Sequence, residues 1–387
     1  MITRVMAKGF RALREVDVAV RPFQVLVGPN GSGKSSLLDV PGFLADVTEH
    51  GVVEAVRVRG DSVRDLTWGR GDGGFTLAVE ATIPEALGKV ASVFDRARYE
   101  LTVADGDDGV AVVREVLSLP SRAELPLPKL LLERTAKGRD RIYWEHKAPG
   151  DGWGLDLRSN PRVSALGNVL RDEERLPLTL CFSDLLTRGL RRVALQEPAL
   201  HRPGGSGVFT SDGAYLPAAV KWLEVYGDAK TRWVEHLQTA LPDVVDVTVK
   251  ERPEDRQRYV SVTYRDGVEV PAWSVSEGTL RLMALTVLAY DPESVGRSFL
   301  VEEPEDGIHP RALETAYQSL EGMYDAQVML TTHSALLLNL VRVDDVLCFT
   351  RDDAEGARVV PGPEHPALLD WQRDANLGML FASGVLE

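Results

Sequence analysis

Gly28-Pro29-Asn30-Gly31-Ser32-Gly33-Lys34-Ser35 follows directly on the apolar run Phe23-Gln24-Val25-Leu26-Val27. The segment fits G-x-x-x-x-G-K-[ST] at every specified position. Glycines let the backbone curl until successive N–H groups point inward at phosphate oxygens. Lys34 would bring a point charge to the β- and γ-phosphates, and the Ser35 hydroxyl is placed to ligate Mg²⁺. Ser35, Ser36, Leu37, Leu38 and Asp39 then start a helix whose positive end faces the same anion. The expected ligand is a nucleoside triphosphate with Mg²⁺.

A phosphate loop does chemistry only with an acid for the metal shell and a base for the attacking water. Ser298-Phe299-Leu300-Val301-Glu302-Glu303-Pro304 supplies both at the end of a short apolar strand. Adjacent strand residues point to opposite sides, so Glu302 can serve the metal and Glu303 the water. A second strand, Val328-Met329-Leu330-Thr331-Thr332, ends in His333-Ser334, where His333 could touch a γ-phosphate or orient a water. In Val275-Ser276-Glu277-Gly278-Thr279-Leu280-Arg281, Ser276 is a good N-cap and Gly278 leaves the first turn open. By themselves an acidic strand exit, a capped helix and a lone histidine are common structural features. Their combination with the phosphate loop gives them a chemical reading.

The elements that position these residues can be read in outline. Val16, Val18 and Val20 alternate with Asp17 and Ala19 as a strand, and a second strand ends at Val27. Pro41-Gly42 should kink or end the helix behind the loop. From about residue 52 to 157 the chain reads β-rich, with Phe75–Glu80, Tyr99–Val103 and Val110–Val113 as strands. Asp105-Gly106-Asp107-Asp108-Gly109 lacks the spaced ligands of a calcium loop and reads as a hairpin turn. Residues 160–245 read mostly helical, with Pro203-Gly204-Gly205-Ser206-Gly207 as a surface loop. Val244–Val249 and Tyr259–Tyr264 make a strand pair. From about residue 274 the order is helix, strand, helix, strand, as in a parallel α/β sheet, and Leu280, Met283, Ala284, Val287 and Leu288 form an apolar helical stripe.

Composition sets the outer bounds. The 387 residues carry a formal charge of −14, which argues against a protein that coats DNA unaided. No apolar run is long enough to span a membrane, and the opening residues lead into a strand pattern rather than a signal peptide. Cys181 and Cys348 read as buried free thiols in a reducing cytosol, so the expected location is cytoplasmic.

Taken together and in this order, the segments resemble the ABC-type ATPase heads of the SMC, RecF and OLD group. Gly28–Ser35 looks like Walker A, Ser276-Glu277-Gly278 like the signature motif, and Glu302-Glu303 like Walker B with its catalytic glutamate. Pro304 to His309 looks like the D-loop and His333 like the switch histidine. Lys8-Gly9-Phe10-Arg11-Ala12-Leu13 is similar to the group's N-F-R-S-L opening, and Leu377-Gly378-Met379-Leu380 with Gly384 resembles the ending of its stand-alone ATPases. Glu302 stands where many such proteins carry Asp. Gln196 is the candidate for the Q-loop glutamine, although it reads more simply as loop polarity.

The resemblance implies a P-loop NTPase of ABC type, α/β, with a mixed central sheet, an antiparallel β subdomain and a helical lobe. One ATPase domain would cover 1–387, with Walker A and the β-rich lobe in 1–160. A helical insert would fill 161–273, and the signature, Walker B and switch histidine would occupy 274–387. ATP and Mg²⁺ are the implied cofactors. Two heads would sandwich two ATP molecules, the Ser276–Gly278 segment of one touching the γ-phosphate held by the Gly28–Ser35 loop of the other, with Ser36 also on the nucleotide. Hydrolysis through Lys34, Glu303 and His333, with Ser35 and Glu302 on the metal, would release the homodimer. The implied setting is DNA repair or anti-phage defence. Because the stretch after His333 is too short for a Toprim nuclease, a separate Toprim-like nuclease or effector would be the partner.

Two other readings compete: a regulatory module in which ATP occupancy sets a shape read by a partner, and, more remotely, a transporter ATPase subunit. For direct contact with DNA the intrinsic candidate is Arg134, Lys137, Arg139, Arg141, Tyr143, Trp144, His146 and Lys147. A solvated hairpin with its aromatics packed is the simpler account of that cluster.

Overall fold

Alternation at Val16 and Val18 does produce a strand with both side chains buried, and Val20, also buried, follows just after its end. In the computed structural model the described residues are 1–87, 94–106, 109–120, 128–135, 137–145, 154–204, 209–352, 355–369 and 377–384. The opening strands are β1 (Ile2–Phe10), β2 (Leu13–Ala19) and β3 (Phe23–Val27). The chain forms two compact units, interleaved in sequence: Met1–Pro22, Pro29–Leu190 and Phe349–Val360 in the first, Phe23–Gly28, Arg191–Cys348 and Pro361–Glu387 in the second.

The first unit is built on an antiparallel sheet. It adds β4 (Phe75–Thr82), β5 (Arg96–Gly106), β6 (Gly109–Leu119), β7 (Lys129–Thr135), β8 (Arg139–Ile142) and β9 (Leu155–Arg158) in the order β2-β1-β4-β5-β6-β7-β8-β9. Gly106 faces Gly109 across the β5–β6 pair, as a hairpin requires, while Asp107 and Asp108 lie outside the described residues. The β-rich stretch begins later than its composition suggests. Val52, Ala55 and Val56 are buried at helical spacing, so Val52–Arg57 is a helix, and Val63–Leu66 is a second one.

The helix behind the glycine loop corrects half of another expectation. It runs from Lys34 to His50 with Pro41 inside it, so it does not end at Pro41-Gly42. Proline there removes one backbone hydrogen bond at a cost of about 3 kcal/mol. Against that cost stand Val40, Phe43, Leu44 and Val47, all fully buried, on a helix that contacts β1, β4 and the helix Pro177–Thr187. Phe43 also closes an aromatic cluster, with ring centroids 5.8 Å from Phe10 and 5.2 Å from Phe75. The helix stops at Gly51, where φ of +84° favours glycine.

One ion-pair cluster ties this helix to the turn that follows β1. Asp39 is held by Arg59 at 2.7 Å and by Arg11 at 3.1 Å, and Arg59 also reaches Asp46 at 2.6 Å. The Arg59 and Asp39 side chains are each only 4% exposed, and the guanidinium lies over the Phe43 ring.

In the second unit the expected parallel sheet is present. It contains β10 (Leu190–Val193), β14 (Ser298–Glu302), β15 (Gln327–Thr332), β3 and the first residues of β16 (Val346–Asp352), in the order β10-β14-β15-β3-β16. Pairings β14–β15, β15–β3 and β3–β16 are parallel. The end of β16 neighbours β17 (Gly356–Pro361) in the part counted with the first unit. A smaller antiparallel sheet joins β11 (Val244–Glu251), β12 (Arg258–Tyr264) and β13 (Glu269–Pro271). The expected helical region holds Pro177–Thr187, Glu197–His201, Leu216–Val225 and Ala229–Gln238. The short strand β10, four residues with two arginines, interrupts it and carries too little periodicity to be read in advance. Residues Gly205, Ser206 and Gly207 of the expected surface loop lie outside the described residues.

Both cysteines are free, but only Cys348 is fully buried, and burial pushes its thiol up to about 12. Cys181 is half-buried, which corrects the expectation for that residue.

Removing one partner of a buried ion pair strands the other charge. Asp39→Ala should therefore lower unfolding free energy by about 3 kcal/mol in urea titrations. A change below about 0.5 kcal/mol would mean the cluster contributes little.

Candidate functional site

In the glycine loop, backbone geometry explains the residue types. Gly28, Gly31 and Gly33 have φ of +149°, +75° and +105°, values at which a side chain is strained. A Cβ on Gly33 would also lie 2.8 Å from the Ala357 Cβ and 3.1 Å from Leu13. Gly33 is the residue before the helix Lys34–His50, so the turn opens directly onto the helix's first N–H groups. Lys34 is buried, and its Nζ donates to the Pro29 carbonyl at 2.8 Å, folding the ammonium back over the loop. The Ser32 hydroxyl is buried with no partner among the described residues. Ser35 and Asn30 are exposed, and Pro29 and Ser36 are half-buried.

The carboxyl edge of the parallel sheet in the second unit gathers the acids and the histidine. Register pairs Val27 with Thr332 and Glu302 with Thr331, so the three strands finish side by side. At this edge β3 runs out into Gly28. In open α/β sheets the carboxyl ends of strands are where ligands bind.

Glu302 closes β14 and is exposed, with Arg192 of β10 at 3.6 Å. Glu303 has left the strand altogether, with φ of +44°. Its N–H donates to the Thr331 carbonyl at 3.1 Å, and its Oε1 lies 3.2 Å from His333 Nε2. The separation of the two acids thus comes from a left-handed turn as well as from strand alternation. Positive φ at a non-glycine costs of order 1–3 kcal/mol and gathers at functional sites. Burial pushes the Glu303 carboxyl above its ordinary range; His333 opposes this, and the Asp306 and Glu305 carboxylates add to it. A carboxylate moved toward neutrality and touching an imidazole is suited to accept a proton.

The helix Glu277–Val287 follows an exposed N-cap, starts half-buried at Glu277, Gly278 and Thr279, and buries its apolar face. Ser276 is the N-cap, its hydroxyl accepting from the Thr279 N–H at 3.3 Å, and it is exposed. Leu280, Met283, Ala284, Val287 and Leu288 are all buried. Two polar contacts fix the helix within the core: Tyr215 donates to the Ala284 carbonyl at 2.6 Å, and Trp233 donates to the Thr286 hydroxyl at 2.9 Å. Gly278 has a steric reason too, because a Cβ there would lie 2.6 Å from the Gly307 carbonyl oxygen.

The basic hairpin is occupied internally. Arg134 is buried on Asp140 at 2.8 Å and donates to the Val112 and Val163 carbonyls. Arg139 and Arg141 share Asp156. Tyr143 donates to Glu133 at 3.3 Å, and Arg175 lies over the Trp144 ring. Lys137 is exposed; His146 and Lys147 lie outside the described residues.

Arg192 enters the picture from the structure alone, and Glu305, known beforehand only as part of the D-loop-like stretch, gains definite partners there. Gln196 stands at the N-cap position of the helix that follows β10, the strand beside β14, with no side-chain cap bond. Among the described residues no group of three or more His, Cys, Asp or Glu side chains could hold a metal, and no helix is long and apolar enough to cross a membrane.

A parallel strand that runs out into a glycine phosphate loop, a Glu-Glu strand end in the same sheet and an antiparallel sheet in the other unit define a P-loop ATPase head of ABC type. Over residues 23–339 the chain matches the family described as "AAA domain, putative AbiEii toxin, Type IV TA system", and it belongs to that family. It is 33% identical over 193 residues to the DNA replication and repair protein RecF of Erwinia tasmaniensis, 46% of this chain and 50% of the relative. The chain thus spans about half the length of the curated relative it matches. Two solved SMC heads share the fold. One, bound to the C-winged helix domain of ScpA, has TM-score 0.55 and 12% identity, covering 93% of this chain and 96% of that one. The other, from Pyrococcus furiosus with an extended coiled coil and bound to the C-terminal domain of ScpA, has TM-score 0.56 and 11% identity, covering 93% and 95%.

Lys34→Ala should abolish ATP binding in an equilibrium titration, since a lost ammonium leaves the phosphates without their point charge. Affinity retained within about threefold of the unsubstituted chain would reject the phosphate-loop assignment.

Proposed function

We propose that this chain is a Mg²⁺-dependent ATPase that dimerises on ATP and acts on DNA together with a partner protein. The observation that carries the reading is Glu303, held in a left-handed turn with its carboxylate 3.2 Å from His333 at the sheet edge where β3 runs out into Gly28. In this reading Gly28 to Ser36 cradle the triphosphate, and Lys34 leaves the Pro29 carbonyl for the phosphate oxygens. Glu303 takes the proton of the attacking water, and His333 steadies the carboxylate and the γ-phosphate.

The donor chemistry fits Mg²⁺, which keeps several waters and takes one or two protein oxygens beside the phosphates. Ser35 and Glu302 are the side chains that would hold it, Glu302 leaving its loose contact with Arg192. When bound, the ion would neutralise charge on the β- and γ-oxygens.

Ser276 and Gly278 support the dimer. Their helix start is capped by its own serine, which is exposed while Gly278 is half-buried, and a helix N-terminus gains an anion when a second chain brings its nucleotide. ATP would then join two copies and hydrolysis would part them. The name of the RecF relative and the toxin family description support a setting in DNA repair or anti-phage defence. A Toprim-like nuclease or other effector is the partner that the family likeness suggests. Internal pairing of the basic hairpin turns the DNA contact toward that partner or toward the assembled dimer.

The test is Glu303→Gln. It should bind Mg-ATP normally, turn over at least about 100-fold more slowly, and accumulate as a dimer in light scattering. Normal hydrolysis would assign the water to another residue, and a monomer at saturating ATP would remove the dimer from the proposal.

A further inference from the structure

The turn that leaves β14 contains a third carboxylate, Glu305, which faces inward. Its Oε1 accepts two hydrogen bonds, from the Thr332 hydroxyl at 2.6 Å and from the His333 N–H at 2.8 Å. Its Oε2 is buried with no partner among the described residues. The Thr332 hydroxyl in turn accepts from the Ser334 N–H at 3.0 Å. Thr332, His333 and Ser334 are thus all tied, directly or through one hydroxyl, to a single side chain.

This anchor closes a small circuit. His333 reaches forward with its ring to Glu303, while its backbone is held by the residue two positions after Glu303. Rotation of the Thr332–Ser334 backbone would swing the imidazole away from the Glu303 carboxylate. A charge-assisted acceptor for two donors is a strong, directional restraint on that backbone. A glutamate serving only solubility would keep its oxygens in water.

We infer that Glu305 is a positioning residue for hydrolysis: its carboxylate sets the backbone of His333 so that the imidazole meets Glu303. The inference rests on the ATPase reading above. Steady-state ATP hydrolysis should be measured for Glu305→Ala, Glu305→Gln, His333→Ala and the Glu305→Ala/His333→Ala pair. Hydrogen exchange at the His333 amide should be followed in the same proteins.

Glu305→Ala should lower kcat at least about tenfold with KM for ATP unchanged. Glu305→Gln, which keeps a carbonyl acceptor, should stay within about threefold of the unsubstituted chain. In the His333→Ala background the Glu305→Ala loss should shrink to about twofold or less, since the residue acts through His333. The His333 amide should exchange faster in Glu305→Ala and remain protected in Glu305→Gln. If Glu305→Ala does not fold, Glu305→Asp withdraws the acceptor by one methylene and should give the same pattern. Equal losses in both backgrounds, unchanged turnover, or an unchanged His333 amide would overturn the inference. If the unsubstituted chain shows no turnover while the amide is still released, the hydrolysis reading fails and Glu305 is a structural anchor only.

Discussion

Register in a parallel sheet is the constraint on which the rest depends. Pairing of β14 with β15, and of β15 with β3, brings Glu302, Thr332 and Val27 to one carboxyl edge although they lie far apart in sequence. Side chains alternate along strands, so a slip of one residue would turn each of these to the wrong face. Apolar burial enforces the alignment: Val25, Val27, Phe299, Val301, Val328 and Leu330 belong to one core cluster and tolerate little displacement. The polar residues at the edge are therefore placed by apolar residues that take no part in chemistry.

Beyond that edge the backbone departs from regular structure where the acids and glycines stand. Glu303 occupies a conformation that glycine would adopt more cheaply, as Gly28, Gly31 and Gly33 do in the loop. A glycine at Glu303 would relieve the backbone and leave nothing to face His333. The raised proton affinity of Glu303 has the same character: burial and neighbouring carboxylates disfavour its charge and suit it to accept a proton. Strain and unfavourable charge are concentrated on one residue, held in place by the Thr331 backbone and His333.

What could be read beforehand divides along physical lines. Local chemistry was legible: the glycine spacing, the Ser276 cap, the apolar strands ending in Glu302 and His333, and the valine alternation of β2 all report on neighbours within a few residues. The helix end that Pro41 allowed for did not occur: its intrinsic cost was visible, while the burial of Phe43, Leu44 and Val47 that outweighs it depends on distant partners. Val52–Arg57 read as part of a β-rich stretch because valine favours strands, and its helical burial emerged only with tertiary packing. Arg134 and Arg139 resembled a basic grip because the acids that neutralise them, Asp140 and Asp156, arrive on partner strands. Glu305 could be read only as one residue of the D-loop-like stretch, since its own hydrogen bonds reach a turn 28 residues away in sequence.

The central claim is that one chain's glycine loop and its twin's capped helix start close on the same nucleotide. It is tested most directly by a cryo-EM map of the full chain with Mg²⁺ and a non-hydrolysable ATP analogue. The account predicts two copies, with Ser276 and Gly278 of each against the γ-phosphate held by Gly28–Ser35 of the other. A map with nucleotide bound and Ser276 and Gly278 facing bulk solvent in every assembly would contradict it.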